Sequence, residues 1–257
     1  MIAAGGTSPG PALQDGRLGL RNVPMVLMYH GIADVPEDPH QLCVSPGRFA
    51  EQMAWLEQRG LRGVSVGTLV EAMGEGRHRG MVGITFDDGY TNVLESALPV
   101  LQRRGFGASV FIISGRLGGS NEWDEGPAWP LLDAGGVRKL AAAGLEIGSH
   151  SATHVRLAGL GPDQLAAEVN ASRADLAALL QTEIRGFAYP YGSMDAAARR
   201  AVRDAGYAYA CAVETPRSEL GLMALPRIYV GERDSAARMT AKRCLYRGYI
   251  AIRGRHG

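Results

Sequence analysis

The sequence predicts one α/β domain, a distorted (β/α) barrel of seven or so parallel strands, on three observations. Short apolar runs alternate with helical stretches through short loops, the pattern of parallel βα units. The runs are apolar throughout instead of alternating with polar residues, as strands buried on both faces are. Polar clusters stand just past the ends of four of these runs, on the rim where parallel α/β folds build their sites.

The elements follow in order. A strand over 24–29 ends in His30-Gly31. Ser45 is placed to cap a helix that runs through Phe49, Met53, Trp55 and Leu56 to Gly60. A strand at 64–66 and a helix at 69–73 come next, then a strand at 81–86 that breaks into Asp87-Asp88-Gly89-Tyr90. Val93, Leu94, Leu98 and Leu101 form an apolar stripe, which predicts a helix over 92–104. Strand 108–113 leads into the Gly-rich segment 114–130, which carries Trp123 and Trp129. Helix 137–143 and strand 145–148 lead to His150, and helix 163–180 follows. Strand 185–189 ends in Pro190-Tyr191-Gly192, and helix 196–205 and strand 207–213 complete the alternation. No break in composition marks a second domain. Residues 1–21, rich in Gly, Ala and Pro, read as a poorly ordered leader, 22–240 as the folded domain, and 241–257 as a basic, solvated tail.

Composition narrows the function classes. Of 257 residues, 46% are hydrophobic and 21% charged, with a formal net charge of +1, so no global field recruits nucleic acid or a membrane surface. No apolar run approaches the roughly 20 residues of a transmembrane helix. The N-terminus has neither a basic nor an apolar signal region, which points to a cytoplasmic protein, with export left open only if a wrongly chosen start hides a signal. Cys43, Cys211 and Cys244 are distant and odd in number, so they read as ordinary thiols. The oligomeric state is not legible.

Two clusters carry chemistry. His150 and His154 have the i, i+4 spacing at which two imidazoles on a helical turn can hold one ion, and a loop-to-helix setting is expected here. Asp87 and Asp88 are adjacent at the end of an apolar strand, where two unpaired carboxylates would repel each other. A helix cap or Asx-turn accounts for one of them. A metal would neutralise one and leave the other as a base, giving two His, one carboxylate and open positions for water and substrate.

The segments Thr85-Phe86-Asp87-Asp88-Gly89, His150-Ser-Ala-Thr-His154 and Phe187-Ala-Tyr-Pro190-Tyr191-Gly192 together resemble the polysaccharide deacetylase superfamily (carbohydrate esterase family four, the NodB-homology domain) over roughly residues 23–230. The resemblance implies a metal-dependent hydrolase that removes an N-acetyl group from an amino sugar in an oligosaccharide, polysaccharide or glycoconjugate. It implies Asp87 as the base that activates the metal's water, and Asp88, His150 and His154 as ligands of one divalent ion. Zn²⁺ is the default, with Co²⁺, Ni²⁺ and Fe²⁺ suited to the same ligands. It also implies Tyr191, beside Pro190, as the main-chain donor to the oxyanion.

Two departures stand out. Ala188 replaces an Arg that commonly pairs with the base, and no Leu-x-His segment supplies a general acid near the C-terminus. Met28-Tyr29-His30 resembles the opening of a permuted subgroup similar to biofilm poly-N-acetylglucosamine deacetylases, which implies His30 as the general acid. In Leu225-Pro226-Arg227-Ile228, Arg227 is the candidate to hold Asp87 ionised. Trp123 is a candidate to stack on a sugar ring, whereas Trp129 either does the same or anchors the next helix. His40, His78 and His256 read as solvated, and Glu168 and Arg173 as an exposed helix face. The departures leave a catalytically impaired carbohydrate-binding protein as the alternative, along with a deacylase of a non-sugar amide or an O-acetyl ester.

Overall fold

The computed structural model describes residues 18–213 and 215–253. The apolar runs form parallel strands: β1 (Val26–Tyr29), β4 (Arg62–Val64), β5 (Met81–Phe86), β6 (Ser109–Ile112), β7 (Glu146–Ser149), β8 (Gly186–Ala188) and β9 (Tyr209–Ala212). Every residue of β1, β6, β8 and β9 is buried, because helices cover the outer face and side chains fill the inner one. A small parallel pair, β2 (Gly31–Ile32) with β3 (Cys43–Val44), ties off the loop that follows β1.

One strand was not foreseen. Residues 225–229 form β10 (Leu225–Pro226) and β11 (Ile228–Tyr229), separated only by Arg227. β10 pairs with β9, and β11 pairs with β1, both in parallel. The strand order is β10-β9-β8-β7-β6-β5-β1-β11, with β4 on the lower half of β5, so the two ends of the sheet are one short stretch of chain. The sheet thereby curls into a nearly closed barrel of eight parallel strands, as expected, with Arg227 at its seam.

The helices explain themselves locally. Ser45 caps α1 (Pro46–Gln58): its hydroxyl accepts from the Arg48 N–H, Pro46 occupies the first turn, and Phe49, Met53, Trp55 and Leu56 are buried. α2 (Val66–Gly74), α4 (Ala134–Ala142) and α6 (Ala196–Asp204) start on Ser65, Asp133 and Asp195 caps. α5 (Pro162–Leu180) buries Leu165, Val169, Ser172 and Leu176, one stripe along its length. The helix expected over 92–104 runs over 91–102, but its stretch Val93–Ala97 is a π-turn that leads into α3 (Leu98–Gln102). Pro99 is the cause, since it lacks an N–H and its ring crowds the carbonyl four residues back.

Two boundary expectations need correction. Residues 1–17 lie outside the described residues, but Leu18 is buried and its N–H donates to the Leu220 carbonyl (3.1 Å), so ordered packing starts before residue 22. The basic run expected as a tail from 241 is helical as far as Arg253, in α7 (Ala236–Arg253); residues 254–257 lie outside the described set. Tyr246 is the reason: it is buried, and its hydroxyl bonds to the carbonyls of Pro24 (2.9 Å) and Pro226 (3.2 Å), joining both ends of the domain. Among the described residues no helix is long and apolar enough to cross a membrane.

Gly148 shows how tightly the barrel wall is set beside the site. A Cβ there would lie 2.6 Å from the Phe111 ring and 2.9 Å from the Gly186 carbonyl oxygen, which cannot move aside. Gly148→Ala is expected to lower stability by about 1–3 kcal/mol, read from the midpoint of denaturant unfolding.

Candidate metal centre and active site

The polar clusters meet at the C-terminal mouth of the barrel, around a cavity of about 370 Å³ lined by His30, Asp87, Asp88, His150, His154 and Tyr191, among others. Asp87 and Asp88 follow β5, His150 follows β7, Tyr191 follows β8 and His30 follows β1. Of the six non-glycine residues with positive φ among those described, four lie here: Asp88 (68°), Ser151 (66°), His154 (69°) and Tyr191 (57°). Such conformations cost free energy and persist only where the surroundings enforce them, which sets this rim apart from ordinary turns.

Asp87 is buried and faces Arg227. The guanidinium donates twice, Nη1 to Oδ1 (2.6 Å) and Nη2 to Oδ2 (2.7 Å), and its remaining N–H groups reach Thr85 Oγ1 (3.1 Å) and the Ala212 carbonyl (3.3 Å). The barrel seam thus supplies the cation that Ala188 cannot. Burial alone would raise the Asp87 carboxyl, but the Arg227 charge and hydrogen bonds, aided by His150 and His30, outweigh it and hold the group below its ordinary value.

Asp88 is buried too, and no arginine reaches it. Its Oδ1 lies 3.3 Å from His154 Nε2 and 3.4 Å from His150 Nε2, yet accepts no hydrogen bond of good geometry. His150 Nδ1 is 2.8 Å from the Ala188 carbonyl, which can only accept, so the ring proton sits on Nδ1 and the Nε2 lone pair faces the carboxylate. Burial, first of all, brings His150 down to about 4, which keeps that imidazole neutral near pH 7. Burial would raise Asp88, but His154, His30 and His150 pull it well below the carboxylate range.

Lone pairs facing an orphaned, buried carboxylate oxygen are unfavourable unless a cation lies between them. The three ligand atoms fall within 4.8 Å of one another. Edges of 3.3–3.4 Å match the roughly 3.4 Å that a tetrahedral ion with bonds of about 2.1 Å sets between its ligands. The residues therefore fit a divalent metal. Their convergence does not use the helical spacing expected for His150 and His154, because 150–154 is irregular and left-handed turns at Ser151 and His154 bring the rings together.

The other expected residues are placed as follows. His30 lines the cavity, and its Nδ1 is buried without a partner, so it is not spent on a neighbouring loop. Tyr191 is 37% exposed, with its ring 4.6 Å from His154 and its hydroxyl on Asp124 Oδ1 (3.1 Å), while Pro190 is buried behind it. Trp123 packs on the His154 ring at 4.6 Å and supports a candidate ligand instead of lining the cavity; Trp129 meets Tyr90 edge-on. His40 is exposed, as expected, but it also has a partner. It lines the cavity, its Nε2 lies 2.7 Å from the Glu125 carbonyl, and so the loops 31–44 and 114–130 touch across the mouth. Arg156, stacked 4.1 Å from the Tyr191 ring, also went unnoticed, since nothing in its spacing marks it.

A polysaccharide deacetylase family profile matches residues 74–210, a span that holds Asp87, Asp88, His150, His154 and Tyr191. The chain belongs to the polysaccharide deacetylase family. YxkH of Bacillus subtilis (strain 168), which carries the same family name, is 27% identical over 209 residues, covering 80% of this chain and 70% of that protein. The poly-beta-1,6-N-acetyl-D-glucosamine N-deacetylase of Escherichia coli (strain K12) is 32% identical over 85 residues, 30% of this chain and 12% of its own length. Among solved structures, the Streptococcus pyogenes deacetylase PplD has a TM-score of 0.73 at 21% identity, covering 85% of this chain and 96% of its own, a likeness of fold. IcaB from Ammonifex degensii has a TM-score of 0.69 at 25% identity, covering 84% and 95%. His30 and Arg227 fall outside the family profile's span, so their parts rest on this deacetylase fold's own geometry.

Arg227→Met is expected to leave Asp87 buried against its burial penalty, so its carboxyl rises and the acid limb of kcat/KM against pH moves upward. In the wild type the folded carboxyl titrates below the unfolded value of about 3.9. Its stabilisation is therefore full above that value and fades as pH falls through the lower folded one. The variant should lose about 3–5 kcal/mol at pH 7 in denaturant unfolding, because one partner of a buried pair is stranded.

Proposed function

We propose that this protein is a metal-dependent hydrolase that removes the N-acetyl group of an amino sugar within an oligosaccharide, polysaccharide or glycoconjugate. Membership of the polysaccharide deacetylase family supports carbohydrate deacetylation. The observation that carries the finer reading is the division of labour between adjacent carboxylates: Asp88 turned to two imidazoles, Asp87 clamped by Arg227.

On this reading Asp88, His150 and His154 hold the ion, with Zn²⁺ the default and Co²⁺, Ni²⁺ or Fe²⁺ compatible. A divalent ion held there supplies Lewis acidity and makes water a stronger acid. Asp87, kept ionised by Arg227, takes the proton of the attacking water. The main-chain N–H of Tyr191 donates to the oxyanion that forms on the acetyl carbonyl. His30, on the same cavity with its Nδ1 unspent, gives the leaving amine its proton. Each residue serves a charge that changes during the reaction, which is where preorganised groups lower a barrier most. The Arg227–Asp87 pair weighs against the impaired binding protein, because it answers one of the two departures behind that alternative, the missing Arg at Ala188.

The test is acetate release by zinc-loaded protein from acetylated amino sugars of increasing length, with an O-acetyl ester alongside. Asp87→Asn is expected to reduce kcat by about 10²–10⁴-fold while still binding the metal. Ester turnover without amide turnover, or unchanged turnover in Asp87→Asn, contradicts the proposal. His30→Ala is expected to lose about 10²–10⁴-fold in kcat; near-normal turnover removes His30 from the acid role.

A further inference from the structure

Glu168 belongs to α5, two turns in, at the margin between the buried stripe of Leu165, Val169 and Ser172 and the exposed face with Gln164 and Ala171. Its own carboxylate is half-buried and turned to the loop 150–154. Oε2 accepts from the main-chain N–H groups of Ala152 (3.0 Å) and Thr153 (2.9 Å), and Oε1 accepts from Thr153 Oγ1 (2.6 Å). These are the residues between His150 and His154.

We propose that Glu168 is a positioning residue for the metal centre, acting on metal affinity by holding the loop that presents both imidazoles. The inference rests on the reading that Asp88, His150 and His154 bind the ion. The loop lacks regular structure, and Ser151 and His154 are both in the left-handed region, conformations that cost free energy and persist only where the surroundings enforce them. Part of the enforcement is neutral. The Ser114 and Gly115 N–H groups donate to the Ser151 (3.2 Å) and Ala152 (2.9 Å) carbonyls, the His154 N–H donates to Ser151 Oγ (3.0 Å), and the Ser151 N–H donates to Ser149 Oγ (3.2 Å).

Those bonds hold the loop from β6 and from within. Glu168 alone holds it from α5, and through a charge. A carboxylate that accepts from two successive N–H groups and a hydroxyl makes charge-assisted bonds, roughly twice as strong as neutral ones. Without it the stretch 152–153 is free to relax, and His154 is the ligand that moves, since Ala188 fixes the ring of His150 independently. Outer partners that orient ligands in this way change metal affinity by about 10–100-fold.

The experiment is competition for Zn²⁺ between a chromophoric chelator and the full chain, in wild type, Glu168→Ala, Glu168→Gln and His154→Ala, with thermal unfolding of each metal-free protein. Wild type should bind one ion and His154→Ala should bind far more weakly. Glu168→Ala should bind about 10–100-fold more weakly than wild type. Glu168→Gln, which keeps an acceptor and loses the charge, should fall between them. Glu168 variants that melt earlier but bind zinc within twofold of wild type overturn the proposal, since the contacts would then be structural alone. Should Glu168→Ala fail to fold, Glu168→Gln carries the comparison. Wild type that takes no zinc, like His154→Ala, instead overturns the metal reading, and this inference with it.

Discussion

Two carboxylates stand side by side at the end of β5, both buried, and they cannot both stay ionised unless each finds its own counter-charge. The structure meets that constraint asymmetrically. Asp87 receives a bidentate guanidinium from the barrel seam, whereas Asp88 receives only the lone-pair side of His150 and the nearby His154. One acid is thereby satisfied by the protein itself and the other is left needing a cation. That difference separates the proposed base from the proposed ligand, and neither assignment survives if the other is reversed.

The fold delivers this arrangement through closure. A sheet of parallel strands brings residues from β1, β5, β7 and β8 to one mouth because every strand runs the same way. The five-residue stretch 225–229 serves both ends of the sheet, and the residue at its midpoint is forced toward the axis. Arg227 therefore reaches Asp87 across 140 positions of sequence. A cation in this place depends on the barrel being shut, so the stability of the seam and the charge of Asp87 are linked. Tyr246, bonded to Pro24 and Pro226, ties the C-terminal helix to the same seam.

Much of this was legible in the sequence, and the reasons differ by element. Buried parallel strands announce themselves as unbroken apolar runs, so β1, β5, β6, β7 and β9 could be placed within a few residues, and with them the residues at their ends. Arg227 could be singled out, but not its strand. That strand is five residues long, carries Pro226 within it and splits its pairing between two neighbours, so it has no periodicity to read. His150 and His154 do lie together, but through an irregular loop with left-handed turns at Ser151 and His154 and not through the helical turn in which i, i+4 side chains meet. The parts of His40 and Glu168 were missed because their partners, Glu125 and the loop at 152–153, are brought close only by tertiary packing. The basic C-terminal run looked like a tail because a helix anchored by a few residues, Met239, Lys242 and Tyr246, leaves little trace in charge pattern.

X-ray absorption at the zinc edge of the zinc-loaded protein tests the central claim most directly. One ion per chain is expected, with two imidazoles and a carboxylate oxygen at about 2.0–2.2 Å, and the imidazole signature is lost in a His150→Ala, His154→Ala double variant. Zinc held by sulfur, or a spectrum unchanged in that variant, would contradict it.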